Sequence, residues 1–167
     1  MQDKFSYKNL CGKCNHKPCC INFGSPVLFT GDLENLKEIS KSDNNFVEET
    51  MIENKPFKTI RKKENSNICV FWDEKNTLCS IYEHRPYDCK MFPFDIDWIA
   101  NEYRWIVYSC NPNSDWAWCE QHLKKLESDP QLDEMIESGF FRLNYKNAYY
   151  ESPYTMLRPV NRNLSKV

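Results

Sequence analysis

The chain contains few glycines. Only four of its 167 residues are glycine, and they lie far apart, at Gly12, Gly24, Gly31 and Gly139. Loops that cradle a phosphate or a dinucleotide need closely spaced glycines, because the backbone must approach the ligand. The scarcity therefore excludes a P-loop, a GxGxxG dinucleotide site and a glycine-rich loop for S-adenosylmethionine.

Long apolar runs and an excess of one charge are also missing. No stretch approaches the roughly 18 apolar residues of a membrane span, and the first ten residues, MQDKFSYKNL, lack the apolar core of a signal peptide. The formal net charge is -2, without the basic excess typical of nucleic-acid-binding proteins. We therefore expect a cytoplasmic protein that binds neither membranes nor nucleic acid. A protein partner is expected, and the oligomeric state is left open.

Cysteine, in contrast, is abundant. The chain has nine cysteines, and four of them fall within LCGKCNHKPCC at residues 10–20. An odd number without a secretory signal argues against a complete disulfide framework, and clustered thiols in a reducing compartment favour a metal site. Isolated cysteines buried in the core would explain Cys110 or Cys119, but not four in ten residues.

Local sequence signals predict a mixture of helices and strands. Thr30 suits the N-cap of a helix, and EKNT at 74–77 suits the turn of a β-hairpin. Residues 41–56 are acidic and undecided, with a second helical turn before Pro56 as one interpretation. The remaining predicted elements are strands at 57–63, 67–73, 78–83 and 103–109, a helical turn and an extended segment within 84–97, and helices at 113–129 and 130–138.

The first cysteine group opens with a C-x2-C pair. This spacing, at Cys11 and Cys14, lets two sulfurs converge on one ion. C-x2-C also serves dithiol redox enzymes. In those enzymes we expect it near a strand end and a helix start, whereas here it lies in a loop close to the adjacent pair Cys19 and Cys20.

The second group consists of Cys69, Cys79 and Cys89. Cys69 and Cys79 lie on predicted strands that a tight hairpin joins, so their side chains could share a site. The alternative is that both are small buried hydrophobic residues in a β layer.

Three segments, LCGKCNHKPCC, CVFWDEKNTLCSIYEHRPYDCKMFPFDI and SCNP, resemble the CxxCxxCC or YkgJ-like family of zinc- or iron-chelating domains over residues 11–112. Cys119 lies outside the family pattern, and the chain departs from it where Asn111 separates Cys110 from Pro112. The resemblance implies eight thiolate metal ligands: Cys11, Cys14, Cys19, Cys20, Cys69, Cys79, Cys89 and Cys110.

Eight thiolates would serve two neighbouring four-thiolate sites. Because the side chains of Cys19 and Cys20 diverge, one can join Cys11 and Cys14 while the other reaches the hairpin cysteines. A single site with the remaining cysteines structural is the rival arrangement.

Two other residues have alternative roles. His16 could replace a thiolate ligand, although a lone histidine beside lysines is more often exposed to solvent. Arg85 could donate hydrogen bonds to the centre and offset its negative charge, or form an ordinary structural ion pair. Both readings of Arg85 stay open.

The sequence thus predicts an α+β fold: a small, loop-rich domain over residues 1–139, organised around cysteine-ligated metal, with 140–167 as a C-terminal extension packed on it. Four cysteines suit either Zn²⁺ or an iron–sulfur cluster. We favour a [4Fe-4S] cluster, because structural zinc rarely needs a whole fold around eight thiols. The function is then a metal-binding module or an iron–sulfur redox protein. The alternatives are a structural zinc interaction module and a metal-dependent enzyme, since the flagellin lysine methylases are similar in their cysteine-cluster part.

Overall fold

Short helices and antiparallel strands make up this computed structural model, which describes residues 18–21, 24–40, 45–108, 119–143 and 154–161. They belong to two compact units, Met1–Lys90 and Met91–Val167. The mixture of helices with small antiparallel sheets confirms the predicted α+β class. The predicted boundary at residue 139 stays a prediction. Across the described residues, no helix combines the length and apolarity needed to span a bilayer.

The elements follow one another in a simple order. The first series is α1 (Pro18–Ile21), α2 (Thr30–Ser40), β1 (Val47–Ile52), β2 (Lys55–Ile60), β3 (Trp72–Asp73), β4 (Leu78–Cys79), a 3-10 turn (Tyr82–His84) and α3 (Tyr87–Met91). The second is β5 (Phe94–Ile99), β6 (Glu102–Tyr108), α4 (Cys119–Glu127), α5 (Pro130–Glu137), a 3-10 turn (Phe140–Arg142) and β7 (Tyr154–Pro159). The helix after Thr30, the turn at 74–77 and the helix from Pro130 are confirmed.

The strands β1 and β2 form an antiparallel hairpin where a helical turn was predicted within residues 41–56. Glu53 and Asn54 connect them with φ angles of 46° and 64°, which is typical of a type I′ turn. The hydroxyls of Thr50 and Thr59 lie 2.8 Å apart across the pair. The helical interpretation was wrong, because pairing with β2 outweighs the weak local signal of an acidic segment.

The hydrophobic core of the first unit includes two cysteine positions at its margin. Cys20 and Cys79 are partly buried and pack against the core. Its buried members are Leu28, Leu36, Phe46, Ile60, Cys69, Trp72 and Ile81. Cys69 is therefore part of this core, whereas Cys20 and Cys79 lie at its margin.

In the second unit, β6 is the central strand between antiparallel β5 and β7. Ala100 and Asn101, with φ angles of 51° and 64°, join β5 to β6. Glu127 of α4 has a side chain only 6% exposed, and it accepts hydrogen bonds from Arg158 of β7 at 2.6 and 3.0 Å. The Nε1–H of Trp105 on β6 donates to the same carboxylate at 2.9 Å. One buried carboxylate thus connects α4 to two strands of the sheet.

Candidate metal centre

Four cysteines of the first unit lie close enough for their thiols to interact. We call Cys20, Cys69, Cys79 and Cys89 the thiol cluster. The thiols of Cys20 and Cys79 are hydrogen-bonded. Ionisation of any of the other three would raise the pKa of Cys89, and ionisation of Cys79 would raise that of Cys69. The structure therefore brings Cys20 together with all three cysteines of the second sequence group.

Main-chain hydrogen bonds bring the segments of the thiol cluster together. The N–H of Cys69 donates to the carbonyl of Cys20 at 2.8 Å, which fastens α1 to the segment before β3. The N–H of Trp72 donates to the carbonyl of Cys69 at 2.9 Å, and Trp72 pairs with Cys79 across the β3–β4 hairpin. These main-chain hydrogen bonds thus bring Cys20 close to the hairpin, although the two are far apart in sequence.

Both hairpin thiols accept a hydrogen bond from an amide two residues further along the chain. The N–H of Phe71 bonds the sulfur of Cys69, and the N–H of Ile81 bonds that of Cys79. An amide donor stabilises negative charge on sulfur and so favours the thiolate form. The hairpin therefore provides an amide donor to each of its two sulfurs.

The thiol cluster is costly to ionise. Burial is the main cause that raises the pKa of Cys69 and of Cys89, and neighbouring thiols raise both further. The hydrogen bond with Cys20, and then burial, raise the pKa of Cys79. Because metals bind the thiolate, metal binding would release these protons. Crowded sulfur donors of this kind fit a cation with high affinity for thiolates, such as Zn²⁺ or the iron of a cluster.

Two carboxylates hold α3, the helix that carries Cys89. Asp32 on α2 is 2% exposed and accepts from the N–H of Tyr87, the first residue of α3, at 2.8 Å. Asp88 on α3 accepts in return from the N–H of Val27 at 2.9 Å. A carboxylate at a helix start satisfies an amide that has no partner inside the helix. Sequence reasoning missed Asp32 in this role, because 55 residues separate it from Tyr87.

Arg85 contributes positive charge beside the thiol cluster. Its Nε–H donates to the carbonyl of Tyr82 at 2.8 Å, and its guanidinium lies 3.9 Å from the centre of the Tyr82 ring. From this position its charge favours the thiolate of Cys79. This contribution agrees with the charge-offsetting role, and the ion-pair interpretation of Arg85 stays a prediction. Lys62 is a second cation at the thiol cluster, and sequence reasoning missed it.

The other half of the predicted ligand set lies outside the described side chains. This applies to Cys11, Cys14, Cys19 and Cys110, and also to His16. Among the side chains that the structure does describe, no three from His, Cys, Asp or Glu form a group that could hold a metal ion. Four of the eight predicted ligands thus interact within the thiol cluster without forming such a group among the described side chains, and the whole ligand assignment stays a prediction.

Cys119 has a different environment, at the start of α4 in the second unit. It is 7% exposed and belongs to the buried face of α4 with Leu123 and Leu126. Burial raises the pKa of its thiol. This position is typical of a small residue in a hydrophobic core.

One protein-family model matches residues 10–111, which is more than half of the chain, under the description CxxCxxCC, putative zinc- or iron-chelating domain. The chain belongs to the CxxCxxCC family. The match confirms the resemblance found in the sequence, and zinc or iron as the metal agrees with the description of the CxxCxxCC family. Its range contains all eight predicted ligands and excludes Cys119. Comparisons with curated proteins and with solved structures found no match.

Proposed function

We propose that the protein binds an iron–sulfur cluster of the [4Fe-4S] type through Cys20, Cys69, Cys79 and Cys89. The observation that carries the proposal is the thiol cluster itself, in which α1, the β3–β4 hairpin and α3 contribute four interacting sulfurs. Four thiolates are the usual ligand set of such a cluster. The family description, zinc- or iron-chelating, supports metal binding in general.

The spacing of the four ligands departs from the close pairs of structural zinc and equally from the C-x2-C runs of many clusters, so the hydrogen bonds to sulfur carry the preference for a cluster. Structural zinc sites take their cysteines in close pairs such as C-x2-C. No two members of the thiol cluster are so close, because Cys69, Cys79 and Cys89 follow one another at intervals of ten residues and Cys20 lies further away. Amide hydrogen bonds to sulfur, as at Cys69 and Cys79, are among the features that tune the potentials of iron–sulfur clusters.

A second site is part of the same proposal. Cys20 is the member of the adjacent pair that interacts with the hairpin thiols, so we assign Cys19 to the other site. Cys11, Cys14, Cys19 and Cys110 would then supply the four thiols of another metal site. The protein partner and the cytoplasmic location expected from the sequence stay predictions.

Anaerobic purification followed by iron, zinc and sulfide analysis tests the proposal. We expect a brown protein that contains iron and acid-labile sulfide in equal amounts. A colourless protein that holds only zinc would contradict the cluster and leave a structural zinc module. A chain that holds neither metal would contradict metal binding altogether.

Cysteine variants test the ligand assignment. Cys69→Ser and Cys89→Ser should each lose the metal of the thiol cluster, and Cys11→Ser the metal of the second site. Cys119→Ser is the matched control, because its thiol packs in the core of the second unit. If Cys119→Ser strips the metal as completely as Cys89→Ser, the assignment is wrong.

A further inference from the structure

Lys62 lies on the side of the thiol cluster that carries Cys69. The two residues face each other as an isolated antiparallel bridge. The Cβ atoms of such cross-strand partners are about 5 Å apart, with both side chains on one face. The Lys62 ammonium donates to the carbonyl of Gly24 at 3.3 Å, in the segment that follows α1 and Cys20. Lys62 therefore pairs with Cys69 through its backbone and reaches the segment after Cys20 through its ammonium.

The surroundings of Lys62 combine burial with negative partners. Burial lowers the pKa of the Lys62 ammonium, while negative charge on Cys69, Cys20 and Cys89 when they are ionised, and then on Glu48, acts in the opposite direction. Three of the four thiols thus interact with one partly buried cation. Burial of a lysine ammonium costs free energy unless a negative group beside it offsets the loss of hydration.

A metal at the thiol cluster would supply that negative group. Four thiolates around one divalent ion, or around a cluster core with two positive charges, leave two excess negative charges. Excess charge at the margin of a hydrophobic core is expensive, and a fixed cation nearby reduces the cost. Arg85 supplies positive charge to Cys79. Lys62 supplies it to Cys69, Cys20 and Cys89.

We propose that Lys62 is a charge-offsetting residue of the metal centre, which strengthens metal binding by the thiol cluster and raises the reduction potential of a bound iron–sulfur cluster. This inference rests on the proposed function, because it requires a metal at these thiols. Lys62 itself is not a ligand: its ammonium is held by the carbonyl of Gly24, and its role is to supply charge.

Three substitutions separate charge from structure. Lys62→Met removes both the charge and the donor, Lys62→Gln removes the charge but keeps a hydrogen-bond donor, and Lys62→Arg keeps the charge. Lys63→Met is the matched control. Lys63 is the next residue in the chain, its ammonium forms an ion pair with Glu74 at 2.9 Å, and its charge acts on Cys69 less than that of Lys62 does.

The measurement is Co²⁺ binding by the full-length chain, followed through thiolate-to-metal absorption and competed with Zn²⁺. Cys89→Ser identifies the phase of the titration that belongs to the thiol cluster. We expect Lys62→Met and Lys62→Gln to weaken this phase about 10- to 100-fold, the usual effect of losing a group that supports metal ligands. Lys62→Arg should remain near the wild type, and Lys63→Met should change affinity less than about 3-fold. In protein with a reconstituted cluster, Lys62→Gln should also shift the reduction potential to a more negative value.

Each outcome decides one of the two proposals. If Lys62→Gln binds Co²⁺ as the wild type does and only Lys62→Met is weakened, Lys62 is a structural donor and the inference is overturned while metal binding stands. Equal weakening by Lys63→Met would also overturn it, since the effect would not be specific to Lys62. If the wild-type chain itself binds neither Co²⁺ nor an iron–sulfur cluster, the proposed function fails, and this inference fails with it.

Discussion

Replacement of Asp32 by alanine should loosen α3, the helix that carries Cys89. The Asp32 side chain is buried, and its two oxygens accept from the N–H of Tyr87 at 2.8 Å and of Phe29 at 3.2 Å. Alanine leaves both amides without this acceptor, at a cost of about 1–3 kcal/mol each. We expect the free energy of unfolding to fall by about 3 kcal/mol. In a chain of this length that lowers the melting temperature by about 6–12 °C.

Urea unfolding followed by circular dichroism measures the loss, and hydrogen exchange at the amide of Tyr87 locates it. Glu34→Ala is the matched control, because Glu34 lies on the same helix and is exposed. Asp32→Ala should also weaken metal binding by the thiol cluster, since the helix that holds Cys89 loses an anchor. The reasoning is refuted if Asp32→Ala and Glu34→Ala unfold within about 0.5 kcal/mol of each other and the Tyr87 amide exchanges at the wild-type rate.

Three other predictions concern pH, a turn and metal removal. Burial alone would raise the pKa of Glu127, but hydrogen bonds from Arg158, Trp105 and the N–H of Asn161 outweigh it and hold the pKa below the usual 4.5. The ionised carboxylate therefore stabilises the fold above pH 4.5, and this stabilisation is lost as the pH falls through the pKa of the folded state. Between about pH 5 and pH 3, the free energy of unfolding should fall more steeply for the wild type than for Glu127→Gln. Ala100→Gly should raise the free energy of unfolding by about 0.5–1 kcal/mol in thermal melts, because glycine adopts the φ of 51° without the penalty of a Cβ atom; a lower melting temperature would contradict this. A chelator should lower the melting temperature of the metal-loaded wild type more than that of Cys89→Ser, which keeps only the metal of the second site; equal shifts in both would show that the metal of the thiol cluster does not stabilise the fold.

Local signals predicted some elements of this fold well. The helix after Thr30 and the hairpin turn at 74–77 depend on residues that are neighbours in sequence, so capping and turn chemistry sufficed. The hairpin of β1 and β2 was missed for the opposite reason. Its turn residues, Glu53 and Asn54, include no glycine, the residue that usually marks positive φ angles. In addition, β1 is stabilised by pairing with β2, which the local sequence of β1 does not reveal.

The candidate site also has features that the sequence predicted and features that only the structure showed. Residue type and spacing alone were enough to assign Cys69, Cys79 and Cys89 to one group and to place the chain in a zinc- or iron-chelating family. They were enough because cysteine is itself a metal-ligand type, which can be recognised without knowledge of the tertiary structure. Only the tertiary structure showed that Cys20 joins this group, that Asp32 fastens the helix of Cys89, and that Lys62 places its charge beside three of the thiols. These relations depend on distances between residues far apart in the chain, and such distances exist only once main-chain hydrogen bonds and the hydrophobic core have brought the segments together.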